Sequence, residues 1–228
     1  MRINVLKNKE LIIFDFDGTI VDFNLDYLSL RSEIINFLKY SFNVPLNLLS
    51  IKQRIFVTLD KVENYFLVNN LDIDWKRILS DIDNIMKKWE WKAAKKNEID
   101  ETVIETLKKI KISGLKIAIF TLEPKEIIEY LIKRHNIGHL IDFIAARDNV
   151  KKLKPNPDHL EIILERFNIK PEKVVVIGDH KMDMICGKSI KALCIGKKSK
   201  FHTDEELINA GASFIISQIS DLKELFNI

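Results

Sequence analysis

Apolar residues fall into two rhythms along this chain. Runs at Leu11-Ile12-Ile13-Phe14, Leu115-Lys116-Ile117-Ala118-Ile119-Phe120, Val174-Val175-Val176-Ile177 and Ala192-Leu193-Cys194-Ile195 read as strands, the first buried and the third central in a parallel sheet. Strands are expected to end near residues 16, 120, 145, 178, 195 and 216. Between them apolar residues recur at helical spacing, as at Leu160, Ile163, Leu164 and Phe167. Helices are predicted over roughly 98–112, 124–136, 157–168, 181–190, 203–210 and 219–227. Strands alternating with helices predict an α/β fold, a parallel sheet covered on both faces.

One stretch breaks the alternation. From Asp22 to about Asn97 there is no strand pattern. Ile51, Ile55, Leu59, Val62 and Phe66 form one helical stripe, and Trp75, Ile78, Leu79, Ile82, Met86 and Trp89 form another. A parallel crossover needs only about a dozen residues. This stretch is several times longer, so it reads as an all-helical insertion, residues 23–97, into a sheet domain made of 1–22 and 98–228. The tryptophans read as the core of the insertion rather than a platform for a ligand.

Polar chemistry gathers where the predicted strands end. Asp15 and Asp17 follow the first run, and Gly18 lets the backbone turn close to a ligand. Residues two apart on a strand point the same way, and unpaired buried carboxylates are costly. Asp179 ends the Val174 run, and Asp183 lies four residues on, near it if a helix begins there. Capping of that helix is the alternative role for Asp183. Lys154 stands in Lys154-Pro155-Asn156-Pro157, with Asn156 as a helix cap and Pro157 at the first helical position. Thr121 ends the run at Phe120 and precedes Leu122; Pro124 can open the next helix. Open α/β sheets bind ligands at such loops. His180 reads as an exposed loop histidine, and Thr19 as a support of the loop after Asp17. Lys197 and Lys198 follow the Leu193 strand and are expected on the rim of the site, where they would attract anions.

These segments resemble the four motifs of the haloacid dehalogenase (HAD) superfamily, in family order: Asp15-Phe16-Asp17-Gly18-Thr19, Thr121, Lys154, and Gly178-Asp179 with Asp183. Lys-Pro-x-Pro is common in its phosphoglycolate-phosphatase-like members. The resemblance implies a Rossmann-like core with a helical cap, which closes over the site and contacts the leaving group. It implies Asp15 as the nucleophile that becomes an aspartyl phosphate and Asp17 as general acid and base. Thr121 and Lys154 would hold the phosphoryl oxygens, and a backbone N–H at Gly18 could do so too. Magnesium would be the cofactor, in a site formed by Asp15, Asp17, Asp179 and Asp183. It would offset the repulsion between carboxylate and phosphate, about 4 kcal/mol for two unit charges at roughly 4 Å and an effective dielectric near 20. Leu122 stands where relatives carry Asn or Ser, which removes a polar contact to the leaving group. The expected activity is hydrolysis of a small phosphorylated metabolite, with phosphoglycolate the leading substrate by resemblance. The alternatives are a β-phosphoglucomutase-like phosphomutase and an inactive binding protein on the same scaffold.

Composition adds bounds. The 228 residues are 46% hydrophobic and 30% charged, an ordinary globular balance. A net charge of +3 gives no argument for nucleic acid, and no apolar run reaches the length of a membrane span. The start, Met1 to Lys7, lacks the apolar segment of a secretory leader. The expectation is a cytoplasmic protein in which Cys186 and Cys194 are small buried residues rather than a disulfide.

Overall fold

The structure, a computed structural model, describes residues 8–22 and 24–228. The reading of Met1 to Lys7 lies outside the described residues. The chain divides into two compact units, 1–23 with 97–228 and 24–96.

The first unit is built on six parallel strands: β1 (Leu11–Phe14), β2 (Lys116–Phe120), β3 (Phe143–Ala145), β4 (Val174–Gly178), β5 (Leu193–Lys197) and β6 (Phe214–Ile216). Their spatial order is β3-β2-β1-β4-β5-β6. The expected α/β class and the six strand positions are borne out. Every residue of β1 and β4 is buried, which is why both read as continuous apolar runs rather than alternating ones. The two strands lie side by side, with Phe14 opposite Ile177. After β1 the chain builds outward through β2 and β3, then returns to the other side of β1 with β4. That reversal opens a crevice beyond the carboxyl ends of the strands.

Helices cover the sheet. Leu11 and Ile13 of β1 share a core cluster with Leu160 and Ile163 of α6 (Asp158–Phe167) and Met184 of α7 (Lys181–Ser189). α4 (Glu101–Ile112) packs against β2 and buries Val103, Thr106, Leu107 and Ile110, the i, i+3, i+4, i+7 stripe of an amphipathic helix. α5 (Lys125–Arg134), α8 (Asp204–Ala210) and α9 (Leu222–Phe226) complete the unit. Helix α6 begins one residue later than the sequence suggests. Pro157 is its cap, and Asn156 Oδ1 accepts from the Asp158 N–H at 3.1 Å.

The second unit is helical throughout: α1 (Tyr27–Phe42), α2 (Ile55–Val68) and α3 (Trp75–Ala94). Its own core joins Leu30, Ile34 and Leu38 to Leu59, Val62 and Phe66, and to Ile78 and Ile82. Ile51, placed by periodicity on the α2 stripe, lies exposed in a turn ahead of the helix. Trp89 packs at the edge of the core, and its Nε1 donates to Glu33 Oε2 at 2.7 Å, tying α3 to α1. Among the described residues, no helix is long and apolar enough to cross a membrane.

Candidate active site

Asp15 follows β1 directly, and its backbone N–H donates to Ile177 O of β4 at 2.8 Å. Sheet pairing therefore continues through the residue that carries the carboxylate and fixes it beside the end of the neighbouring strand. The chain then turns sharply: Gly18 N–H donates to Val21 O at 2.8 Å, and Ile20 N–H to Phe16 O at 2.8 Å. Gly18 has φ +80°, and a Cβ there would collide with the Asp179 carboxylate. Only glycine lets this turn approach Asp179 so closely.

The loop after β3 brings in Lys154, whose side chain is almost wholly buried. Its Nζ donates to Asp15 Oδ1 at 2.6 Å and to Asp183 Oδ1 at 2.8 Å, and lies 3.5 Å from the centroid of the Phe120 ring. Asp179 leaves the end of β4, and Asp183 comes from the first turn of α7. Asp183 takes the capping role that the sequence offered as its alternative. Its Oδ2 accepts from the His180 N–H at 3.0 Å as part of a helix cap, while Oδ1 faces Lys154. Asp15, Asp179 and Asp183 are all buried, and each offers a carboxylate oxygen within 4.8 Å of the others.

The electrostatics follow from that crowding. Burial pushes the Asp15 carboxyl well above the ordinary range; Lys154 opposes this, while Asp183 and Asp179 add to it. Burial and then the Asp183 charge push Asp179 up to about 6. Burial works against the charge of Lys154, but Asp15 and Asp183 outweigh it and hold the ammonium well above the usual lysine value. The donor set fits a hard divalent cation: three oxygen ligands, close together, carrying more negative charge than one lysine offsets. A bound Mg²⁺ would reverse the rise at Asp15 and Asp179.

This has a pH consequence with a definite sign. In the metal-free protein the raised Asp179 carboxyl contributes stability that is complete below its ordinary value of 3.8 and lost as pH rises through about 6. Metal binding requires the carboxylate form. The gain in Tm produced by millimolar Mg²⁺ is therefore expected to be large at pH 7.5 and to shrink at pH 5. Thermal melts at both pH values check this, and an equal gain at each would count against Asp179 as a ligand.

The other predicted residues take these places. Thr121 is fully buried at the end of β2; its N–H donates to Ala145 O at 3.0 Å, and its Oγ1 accepts from the Glu123 N–H at 3.0 Å. The hydroxyl proton is left to donate elsewhere. Leu122 is half-buried beside it. Asp17 is half-buried in the turn after β1 and does not belong to the three-carboxylate group. Thr19 supports the loop, its Oγ1 donating to Asp15 Oδ2 at 3.3 Å. His180 departs from expectation. It is half-buried, caps α7 by accepting from the Met182 N–H at 3.1 Å, and meets the His202 ring edge to face at 4.2 Å.

Two neighbours of the site escaped sequence reasoning. Phe120 reads only as core, yet its ring face receives the Lys154 ammonium. His159, 1% exposed, lies under the site on α6; burial and then the Lys154 charge lower it to about 4, so it is neutral at pH 7. Its place beside Leu160 and Ile163 on the buried stripe was the one available signal.

A buried lysine bridging two acids, with a third acid alongside, lies at the reversal of a parallel sheet, where α/β proteins of this open-sheet class bind their ligands. The sequence model of the haloacid dehalogenase-like hydrolases matches residues 12–197, and the chain belongs to that family. Pyrophosphatase PpaX of Bacillus mycoides is 27% identical over 122 residues, covering 54% of this chain and 57% of that protein. The chain thus spans about half the length of the curated relatives it matches. Among solved structures, a protein provisionally designated a haloacid dehalogenase-like hydrolase from Bacteroides fragilis superposes with TM-score 0.73 at 19% identity, covering 94% of this chain and 99% of that one. One from Thermotoga maritima, provisionally designated a β-phosphoglucomutase, gives 0.64 at 22% identity, with 96% and 97% covered. One from Haemophilus somnus, provisionally designated a phosphoglycolate phosphatase, gives 0.66 at 18% identity, with 96% and 98% covered. These likenesses establish the fold.

Proposed function

We propose that this protein is a Mg²⁺-dependent phosphatase of a small phosphorylated metabolite, acting through an aspartyl phosphate on Asp15. The observation that carries the reading is the Lys154 ammonium held at 2.6 Å from Asp15 and 2.8 Å from Asp183, beside Asp179. Such a cation orients the nucleophilic oxygen and remains available to the phosphoryl oxygens of a substrate. Family membership and the likeness to a pyrophosphatase support it.

On this reading an Asp15 oxygen attacks phosphorus and the ester oxygen leaves. Asp17, one turn residue from Gly18, gives its proton to the departing alkoxide. It then takes a proton from water, whose oxygen attacks the phosphorus of the acyl phosphate. Inorganic phosphate leaves and the Asp15 carboxylate is restored. Lys154 and the Thr121 hydroxyl hold the phosphoryl oxygens throughout. Asp15, Asp179 and Asp183 would hold the magnesium, which when bound offsets the charge between carboxylate and phosphate, while Asp17, outside that group, is left to the proton transfer. The helical insertion, residues 23–97, is the cap, by its place directly after the strand that carries Asp15. Phosphoglycolate is the leading substrate by resemblance alone, and Leu122 weighs against it, since an apolar side chain offers no polar contact to the carboxylate at its organic end. Two free, buried cysteines accord with a reducing, cytoplasmic setting.

The test is phosphate release from p-nitrophenyl phosphate and from a panel of metabolites led by phosphoglycolate, with Mg²⁺ and with EDTA. Mg²⁺-dependent release that EDTA abolishes is expected. Transfer of phosphate between two positions of a sugar, with little release, would instead identify a phosphomutase. No turnover or transfer anywhere on the panel would favour a binding protein.

A further inference from the structure

Three lysines stand within four residues at the end of β5, and they are not equivalent. Lys198 is exposed and pairs with Asp204 at 2.9 Å, and Lys200 is exposed with its ammonium 5.4 Å from the Phe201 ring. Lys197 alone turns inward: it is half-buried, and its Nζ donates to Gly18 O at 2.8 Å. Two residues on, Ser199 Oγ donates to Asp179 O at 3.1 Å. The end of β5 and the loop after it therefore grip both the turn that follows Asp17 and the backbone of Asp179. These two are already packed together, because Gly18 leaves no room for a Cβ against the Asp179 carboxylate.

The charge matters as much as the tether. Among the described residues Lys197 makes no ion pair, and its ammonium rests on a neutral carbonyl. It lies near enough to Asp179 to oppose the rise that burial and Asp183 cause there. On the phosphatase reading Asp15, Asp179 and Asp183 would share a divalent ion and Lys154, a neutral balance that leaves no positive charge over for an incoming phosphate dianion unless Lys197 supplies it. Electrostatic catalysis of phosphoryl transfer depends on that balance.

We propose that Lys197 is a positioning residue of this site, clamping the Gly18 turn, and with it Asp17, to the end of β5, while its ammonium favours the incoming phosphate and moderates the acids' hold on the metal. The proposal rests on the phosphatase reading. It differs from general attraction of anions to a basic rim, because Lys198 and Lys200 take no part.

The ammonium's charge predicts shifts of opposite sign for the two ligands, and the clamp on the Gly18 turn a fall in kcat. In Lys197→Met, Mg²⁺ affinity measured by calorimetry is expected to tighten about three- to tenfold, the size expected when one unit charge near a divalent ion is removed. The inhibition constant of inorganic phosphate and the KM of the ester are expected to rise about tenfold, and kcat to fall as Asp17 loses its tether. Lys197→Arg should restore Mg²⁺ and phosphate affinities toward the parent values. A loosened site would weaken both ligands, so weaker binding of each would overturn the proposal. Unchanged affinities in a folded variant, or the same shifts in Lys198→Met, would do so as well. Calorimetry with Mg²⁺ and phosphate reads Lys197 even if no ester is turned over. Absence of turnover in the parent protein would fault the phosphatase reading instead.

Discussion

Asp15→Asn is expected to lower kcat by about 10⁴-fold or more while leaving a folded protein. Asparagine matches aspartate in shape, so the sheet pairing from its N–H to Ile177 O at 2.8 Å can persist. What is lost is the anionic oxygen that would attack phosphorus, together with the charge that faces Lys154 at 2.6 Å. Removing a buried carboxylate from a site crowded with acids also relieves repulsion from Asp179 and Asp183. The variant is therefore expected to melt close to the parent, or above it in the absence of metal. Acid-quenched reactions with ³²P-labelled substrate should trap label on the parent protein and none on the variant. Residual activity above about a tenth of the parent's would remove Asp15 as the nucleophile.

Lys154→Met carries the second large effect, and it acts on stability as well as rate. Removing one partner of a buried ion pair typically costs about 3–5 kcal/mol, because the charge left behind has neither water nor a counter-ion. Here two carboxylates lose their partner, Asp15 and Asp183, at a side chain that is 2% exposed. Both can escape by taking up protons, so the loss should be greatest at pH 8 and smaller near pH 5. Added Mg²⁺ should recover part of it. kcat/KM is expected to fall by about 10³-fold, the range for loss of a charged contact to a transferring phosphoryl group. Lys154→Arg is a poor substitute, since a planar guanidinium does not reproduce a point charge seated on the Phe120 ring between two acids. Urea unfolding at the two pH values, run beside steady-state kinetics, checks both parts. A variant as stable at pH 8 as the parent would show that the ion pairs contribute no net stability.

Much of the fold was legible because burial leaves a simple trace. β1 and β4 are enclosed on both faces, so they appear in the sequence as solid apolar runs. The helices that cover them bury one stripe and show it at helical spacing, as Val103, Leu107 and Ile110 do. The misplaced details were those that periodicity does not carry. Ile51 has the right spacing for α2, but the helix starts at Ile55, and nothing in an apolar stripe marks where the backbone first closes its hydrogen bonds. His180 has the polarity of a loop residue, yet its ring is used as a helix cap and packs on His202, a partner far along the chain.

By itself the sequence determined the α/β class, the strand ends on which Asp15, Thr121 and Asp179 stand, and the loop that carries Lys154. Local patterning suffices for these, because each depends on residues close together in the chain. Tertiary structure decided the contacts. Lys154 lies 139 residues from Asp15 and Lys197 lies 179 from Gly18, and only the order of strands in the sheet brings either pair within hydrogen-bonding distance. It also decided the charge states, since the rise of Asp179 to about 6 and the fall of His159 to about 4 come first from burial and then from neighbouring charges, Asp183 in one case and Lys154 in the other.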